Sequence, residues 1–323
     1  MGIQDLFQVL KKNGIVEHVH MSMFKGKTAA IDGFGWLYKA SYTCSKELYE
    51  DPLTPKVIDF CERRILKLIE CGVKPFFVFD GRTLPLKHQT YQKRKQIRDE
   101  AIKKINYARK NNSKEDLTGY YQQCVLIGYK TMKNFIDYLQ RKDIPFVVAP
   151  YEADPQLAYL VKIGLADIII SDDSDLLVYK APIVLFQLNY DMQVDCLRYQ
   201  DILNLKFSDE QFIKYCILCG CDYLPRVKGL NHKLIYQLVT SFKSITNIIK
   251  YLKNAGYNVP NNYISQFKKA YATFNYQMIY DIIQKKMLPF SDISEPPDYI
   301  GEIIPPKILE KHINGQIDPR QNE

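Results

Sequence analysis

Three consecutive isoleucines, 168–170, run directly into Ser171-Asp172-Asp173-Ser174-Asp175. A short, unbroken β-branched run reads as the end of a strand buried on both faces, and such strands belong to sheets covered by helices. The three carboxylates follow where that strand must emerge. In open α/β sheets, ligands bind outside the carboxyl ends of the strands. Carboxylates this close repel one another unless cations compensate them, which makes hard divalent metals their natural partner. Taken alone, the stretch reads equally as a solvated acidic turn, so its meaning depends on whether other strands deliver matching acids.

They do. Thr28–Ile31 forms a compact strand ending at Asp32, and 75–79 (Pro-Phe-Phe-Val-Phe) is a strand ending at Asp80-Gly81. The strand 145–149 is followed by Pro150-Tyr151-Glu152-Ala153-Asp154-Pro155, where Pro155 fits the first turn of a helix and Asp154 its cap. Glu152 and Asp154 are two apart, so they converge only if Glu152 precedes that helix. Helices are expected over 34–48, 57–70, 128–141 and 154–162, with a further strand at 182–186 and a short amphipathic helix ending at Lys12. Alternation of this kind predicts an α/β fold, a largely parallel twisted sheet flanked by helices. From Ser208 the chain reads as helical: a capping-box helix to Gly220, a tight loop Cys221–Gly229, a helix over 231–240, and further helices over 244–254, 261–271 and 275–286. The organisation expected is a core over 1–205 that includes an insertion at about 84–128, a helical region over 206–288, and a weakly periodic tail over 289–323.

Charge locates a partner. The chain carries a net +8, and between Lys87 and Lys114 stand ten Lys or Arg against two acids, an excess equal to that of the whole chain. Ile97, Ala101, Ile102 and Ile105 make too thin an apolar stripe for a core helix, so this stretch is expected to project as a basic helical insertion facing a polyanion, nucleic acid first. No apolar run approaches the roughly 18 residues of a membrane span. The eight cysteines have no secreted-domain rhythm and read as reduced thiols. Cys216, Cys219 and Cys221 lack the second pair a structural zinc site requires, and are expected as buried helix thiols.

Collecting the acids gives Asp32, Asp80, Glu152, Asp154, Asp173 and Asp175 at strand ends, with Asp222 from the helical loop. Two Mg²⁺ ions, or Mn²⁺ in their place, about 3.5–4 Å apart would compensate them and form a phosphodiester-hydrolysis site. Met1-Gly-Ile-Gln4, Ala30-Ile-Asp32, Val78-Phe-Asp-Gly81, Ala149-Pro-Tyr-Glu-Ala-Asp154, Asp173-Ser-Asp-Leu-Leu177 and Gly220-Cys-Asp-Tyr-Leu224 occur in that order. Together they resemble the structure-specific 5′ nuclease superfamily, with its PIN-like core, and within it the exonuclease 1 branch more than the flap endonucleases.

The resemblance implies that the seven acids are metal ligands, that the insertion arches over the site, and that Gly2 lies beside it. It implies that Lys87 and Arg94 contact the scissile phosphate, where their charge can stabilise the transition state, and that Tyr38 stacks on the terminal base. Lys93, Lys95 and Arg98 of the arch would contact DNA. The loop and helix carrying Arg226, Lys228, Gly229, Asn231 and Lys233 would form a helix-two-turn-helix that binds duplex backbone with a K⁺ ion. The chain departs from the family pattern at Gly229-Leu230-Asn231, where Gly-Ile-Gly is usual, at Asp5, where Gly is usual, and at Asp172, where Glu is usual. The activity implied is a metal-dependent 5′→3′ exonuclease on double-stranded DNA with nicks, gaps, recessed 5′ ends or flaps. It would act as a monomer in the nucleus, with mismatch-repair proteins as partners. A dedicated flap endonuclease, a catalytically silent DNA-end-binding scaffold and an acid-rich phosphatase are the alternative readings.

Overall fold

The computed structural model describes residues 2–113 and 115–320. Helix α1 (Leu6–Lys12) leads into strands β1 (Glu17–His20) and β2 (Thr28–Asp32). Helices α2 (Gly33–Thr43), α3 (Ser45–Glu50) and α4 (Pro55–Glu70) separate β2 from β3 (Lys74–Phe79). The insertion contains α5 (His88–Lys110) and α6 (Thr118–Cys124), after which α7 (Tyr129–Arg141) returns the chain to β4 (Phe146–Val148). Then come α8 (Ala153–Lys162), β5 (Ile168–Ile170), β6 (Ile183–Phe186) and β7 (Gln193–Arg198). The helices α9 (Tyr199–Leu203), α10 (Asp209–Cys219), α11 (His232–Ser241), α12 (Ile245–Asn254) and α13 (Tyr263–Tyr276) follow. A hairpin, β8 (Met278–Asp281) and β9 (Lys286–Pro289), and helix α14 (Pro306–Ile313) close the described chain.

The main sheet has the order β1-β7-β6-β5-β2-β3-β4. Its five strands from β6 to β4 run parallel, while β7 and β1 pair antiparallel at one edge. Successive residues of the parallel strands bury into opposite layers. Ala30, Val78 and Ile169 join the cluster built with α8, α10 and the helical region, whereas Ile31, Phe77, Phe79, Ile168 and Ile170 join the cluster built with α2, α4 and α7. Burial on both faces explains why 168–170 is apolar throughout. Register then aligns the strand ends: Ile31 pairs with Ile170, and Asp32 with Val78, two residues before Asp80.

Three expectations are corrected, and two strands are added. The helix expected over 34–48 breaks at Cys44 into α2 and α3. The edge strands β1 and β7 had no sequence signal, because buried Asp195 of β7 interrupts the apolar pattern while bonding Lys11 (2.6 Å) and His18 (2.9 Å). The helix expected over 275–286 is instead the β8–β9 hairpin. Its strand β8 is buried throughout, and the side chain of Gln156 in α8 supplies the missing backbone partners of Tyr280, accepting from its N–H (2.7 Å) and donating to its carbonyl (2.9 Å). The residues expected as a tail contain α14, which packs against β4, with His312 fully buried.

In the insertion, Ala101 and Ile105 of α5 are buried against Tyr121 and Cys124 of α6, while Ile97 is exposed. No helix among the described residues is long and apolar enough to cross a membrane.

Phe135 of α7 is fully buried and meets Phe77 and Phe79 edge-on, with ring centroids 5.2 and 5.9 Å apart. Phe135→Ala is therefore expected to cost about 3–5 kcal/mol, read as a lowered midpoint in urea unfolding. A change under about 1 kcal/mol would show that α7 is not held through this ring.

Candidate active site

The carboxyl ends of β2, β3, β4 and β5 open onto one cleft. Asp32, Asp80, Glu152, Asp154, Asp173 and Asp222 line it, facing Lys87, Tyr91 and Arg94 from the base of the insertion; Tyr38 lines it as well. Asp175 lies beneath, 2% exposed. A larger apolar groove between β4, the β8–β9 hairpin and α14 holds none of these acids.

Each acid is fixed by the local fold. Asp32 ends β2 and caps α2, its Oδ1 accepting from the Gly35 N–H (2.8 Å) and its other oxygen from Ser171 Oγ (3.2 Å). Asp80 accepts from the Ala153 N–H (2.8 Å), which ties the end of β3 to the start of α8. Glu152 does precede α8, in extended backbone at its N-cap. Asp173 caps the 3₁₀ turn Ser174–Leu177 and accepts from the Asp175 N–H (2.9 Å). Ligand oxygens of Asp154, Asp173 and Asp175 all lie within 4.8 Å of one another, and Asp175 Oδ1 is buried with no hydrogen-bond partner. A hard, all-oxygen set with an unused buried lone pair fits a divalent cation.

The other side of the cleft is organised by an ammonium group. Lys87 Nζ pairs with Glu152 and, at 3.1 Å, with Asp222. Glu152 also accepts from the Tyr223 hydroxyl and from Gln277 Nε2 (2.9 Å), and Gln277 accepts from Tyr179 (3.0 Å). Burial opposes the charge on Lys87, but Glu152, Asp222, Asp175 and Asp154 outweigh it and hold its pKa well above the usual lysine value.

The acids carry the cost of this convergence. Burial, then repulsion from Asp80 and Asp173, pushes Asp32 up to about 7. Burial and mutual repulsion also raise Asp154 and Asp175 well above the ordinary range; burial raises Asp173 and Glu152.

Asp172 belongs elsewhere: it pairs with Lys39 (2.6 Å) and accepts from the Gln187 N–H (2.7 Å). Gly2, at φ +77°, lies so close to Asp173 and Ser174 that a Cβ there would collide with both. Tyr38 is half-buried, next to Phe34 with ring centroids 6.5 Å apart. Lys93, Arg94 and Lys95 are exposed on α5, and Arg98 is half-buried. In the helical region Lys228, Gly229, Asn231 and Lys233 are exposed. Gly229 takes the positive φ (+91°), while Asn231 is extended and caps α11 through the Leu234 N–H (2.9 Å). Arg226 differs from its neighbours, because its guanidinium is engaged by Asp5 at 2.9 Å. Asp5 has φ +59°, a left-handed conformation that Asp tolerates better than most residues and glycine adopts freely.

Sequence reading missed Tyr91, Tyr223 and Gln277. Lys87, Tyr91 and Arg94 follow i, i+4, i+7 spacing, a signal for one helix face. Tyr223 sits beside Asp222 within a quoted motif, and only the fold brings Gln277, 125 residues from Glu152, to the site.

Two outcomes follow for the metal-free protein. A carboxyl with a raised native pKa binds its proton more tightly folded than unfolded, so its stabilising effect is lost as pH rises. In chelator, the melting temperature should fall between pH 4 and 7, the window spanned by the ordinary value of 3.8 and about 7 for Asp32. Added Mg²⁺ should restore more of it at the upper end; a flat profile in scanning calorimetry contradicts this. Second, Lys87→Met leaves Glu152 and Asp222 uncompensated and should tighten Mn²⁺ binding by about tenfold, ~1.4 kcal/mol. Calorimetric titration showing equal or weaker binding would mean that the ammonium does not compete with a cation.

With this geometry in view, the chain matches the XPG N-terminal domain over residues 1–101 and the XPG I-region over residues 143–222. It is 34% identical to exonuclease 1 of Arabidopsis thaliana over 329 residues, covering 99% of this chain and 44% of that protein. In fold it is similar to the catalytic core of Rad2 in complex with DNA substrate, with a TM-score of 0.62, 23% identity, and coverage of 84% of this chain and 85% of that one. It is also similar to flap endonuclease-1 from Methanococcus jannaschii, with a TM-score of 0.56, 24% identity and 84% of each chain covered. The chain spans less than half the length of its plant relative. Both XPG regions in order, and an exonuclease 1 similar along almost all of the chain, establish that it belongs to the XPG family of the 5′ nuclease superfamily.

Proposed function

We propose that the chain is a divalent-metal-dependent 5′→3′ exonuclease acting on double-stranded DNA, with 5′-flap endonuclease activity. The observation that carries this reading is the cleft in which six acids from the core and the helical loop, with Asp175 buried beneath them, face Lys87 and Arg94 from the basic insertion. The metals, Mg²⁺ by the hardness of the ligand set with Mn²⁺ able to replace it, would supply an activated water and charge stabilisation at the attacked phosphate. Asp154, Asp173 and Asp175 are assigned to one ion, and Glu152, Asp222, Asp32 and Asp80 to completing the pair.

The remaining roles fall to the protein's own groups. Lys87 and Arg94 neutralise the scissile phosphate. Lys87 leaves Glu152 and Asp222 to do so, its ammonium passing from carboxylate to phosphate. Tyr38 offers a ring face to the terminal base, and Gly2 keeps the backbone beside Asp173 free of a side chain. Lys93, Lys95 and Arg98 track the single strand under the arch. Lys228, Gly229, Asn231 and Lys233 take the duplex backbone, with a K⁺ ion in the loop at 221–229; Arg226 joins them only on leaving Asp5. Nicked, gapped, recessed and flapped DNA are the substrates, the nucleus the place of action, mismatch-repair proteins the partners, and a monomer the acting form.

Asp173→Ala should lower Mg²⁺-dependent cleavage of a nicked duplex by more than about 10²-fold, whereas Asp172→Asn should retain most of it, since Asp172 faces Lys39. Mononucleotide products mark an exonuclease, and a single released flap marks a dedicated flap endonuclease. Equal inactivity of wild type and Asp173→Ala on duplex, nick and flap substrates would sink the nuclease reading and leave the DNA-binding scaffold or the phosphatase.

A further inference from the structure

We propose that the segment over residues 298–320 is a strap that holds the two loops carrying Asp80 and Glu152 in register, with His312 as its positioning residue. This rests on the nuclease reading above and adds to it a part of the chain outside both matched XPG regions.

The two loops are already laced to each other. Gly81 and Arg82, directly after Asp80, donate their N–H groups to Tyr151 and Pro150, and Asp80 accepts from Ala153. A side chain at Gly81 has no room, because its Cβ would meet the carbonyls of Ala149 and Pro150 and the His312 ring. His312 therefore sits where the Asp80 turn and the Ala149–Glu152 loop touch. Its ring is fully buried, and its Nε2 lies 2.8 Å from the Ala149 carbonyl oxygen. A carbonyl only accepts, so Nε2 carries the proton and donates. Burial lowers the pKa of the imidazole, which keeps it neutral in this role.

The strap reaches the same loop at further points. The Tyr151 hydroxyl donates to the Glu302 carbonyl (2.9 Å), and the Tyr151 ring packs where a side chain at Gly301 would stand. Beyond α14, Tyr129 donates to the Gly315 carbonyl (3.2 Å). Arg320 donates to the Ile127 carbonyl (3.1 Å) and lies over the Phe34 ring, 5.0 Å from its centroid. Phe34 lines the cleft beside Tyr38. The strap thus supports the acid side of the cleft through His312 and Tyr151, and its aromatic side through Arg320. None of the strap's own residues, Glu302, His312, Gly315 or Arg320, lines the cleft, whereas Tyr151, which they hold, does; the strap acts through the residues it holds.

Three proteins test this: the full chain, His312→Leu and His312→Gln. Mn²⁺ affinity is measured by calorimetric titration, and kcat and KM on nicked duplex DNA by steady-state cleavage. His312→Leu should bind Mn²⁺ about 10–100-fold more weakly and lose kcat in step, with KM for DNA unchanged. His312→Gln, whose amide can donate to Ala149, should recover most of both. A merely structural histidine would lower the melting temperature in both variants and leave metal affinity and kcat alone, and that result overturns the proposal. If His312→Leu does not fold, Tyr151→Phe, which removes only the hydroxyl donated to Glu302, carries the test. Weaker Mn²⁺ binding and lower kcat support the strap; wild-type values overturn it. Failure of the full chain itself to bind metal or cleave DNA would instead sink the nuclease reading.

Discussion

Repulsion among carboxylates is the constraint that the rest of the site answers to. Parallel strands end at one edge of a sheet, so strands that each finish in an acid deliver those acids to one place. The register of β2 against β3 and β5 leaves no alternative for Asp32, Asp80 and Asp173. Burial then removes the water that would screen them. The fold responds with donors: the Gly35, Ala153 and Asp175 amides, the Ser171 hydroxyl, and the Tyr223 and Gln277 side chains. These leave a charge deficit that neutral donors do not remove, and Asp175 Oδ1 receives none of them.

Among the cations of the described cleft, Lys87 is the one with ion pairs to its acids, and it joins three parts of the chain. It sits at the foot of α5, Glu152 opens α8, and Asp222 follows α10. A buried ammonium cannot leave carboxylates without another partner for each side. On the proposed reading, movement at the base of the insertion is thereby linked to what else occupies the cleft: phosphate for the lysine, cations for the acids.

Much of this was legible because it is local. Buried parallel strands are short apolar runs, and an acid at or just past the end of such a run lies at the carboxyl edge of the sheet. Asp32 and Asp80 follow this rule directly, and Asp173 follows it three residues past Ile170, while the nearer Asp172 turns to Lys39. The capping box Ser208–Gln211 is likewise short-range and present as read. What escaped reading depends on distant partners. The β8 segment pairs in part with the side chain of Gln156, which no periodicity reveals. Gln277 reaches Glu152 because β8, which begins at the next residue, packs against α8. The residues after 288 lack a pattern because their order comes from contacts one or two residues long, such as His312 with Ala149 and Tyr151 with Glu302. Asp5, where the family pattern has Gly, keeps the left-handed backbone and pairs with Arg226, a partner 221 residues away that no local pattern reveals.

The contacts of residues 3–5 also bear on how the chain assembles. Ile3 accepts from Ser174 Oγ, the Gln4 amide donates to the Gly220 carbonyl (2.9 Å), and Asp5 holds Arg226. Every one of these partners lies some 170 to 221 residues further along. Such contacts close large loops and form late in folding. In order of synthesis, residues 4 and 5 must wait for the loop after α10 before their contacts can close. Residues 3–5 are thus seated only once the Asp173 turn and the helical loop both exist, and their contacts then tie those two sides of the cleft together.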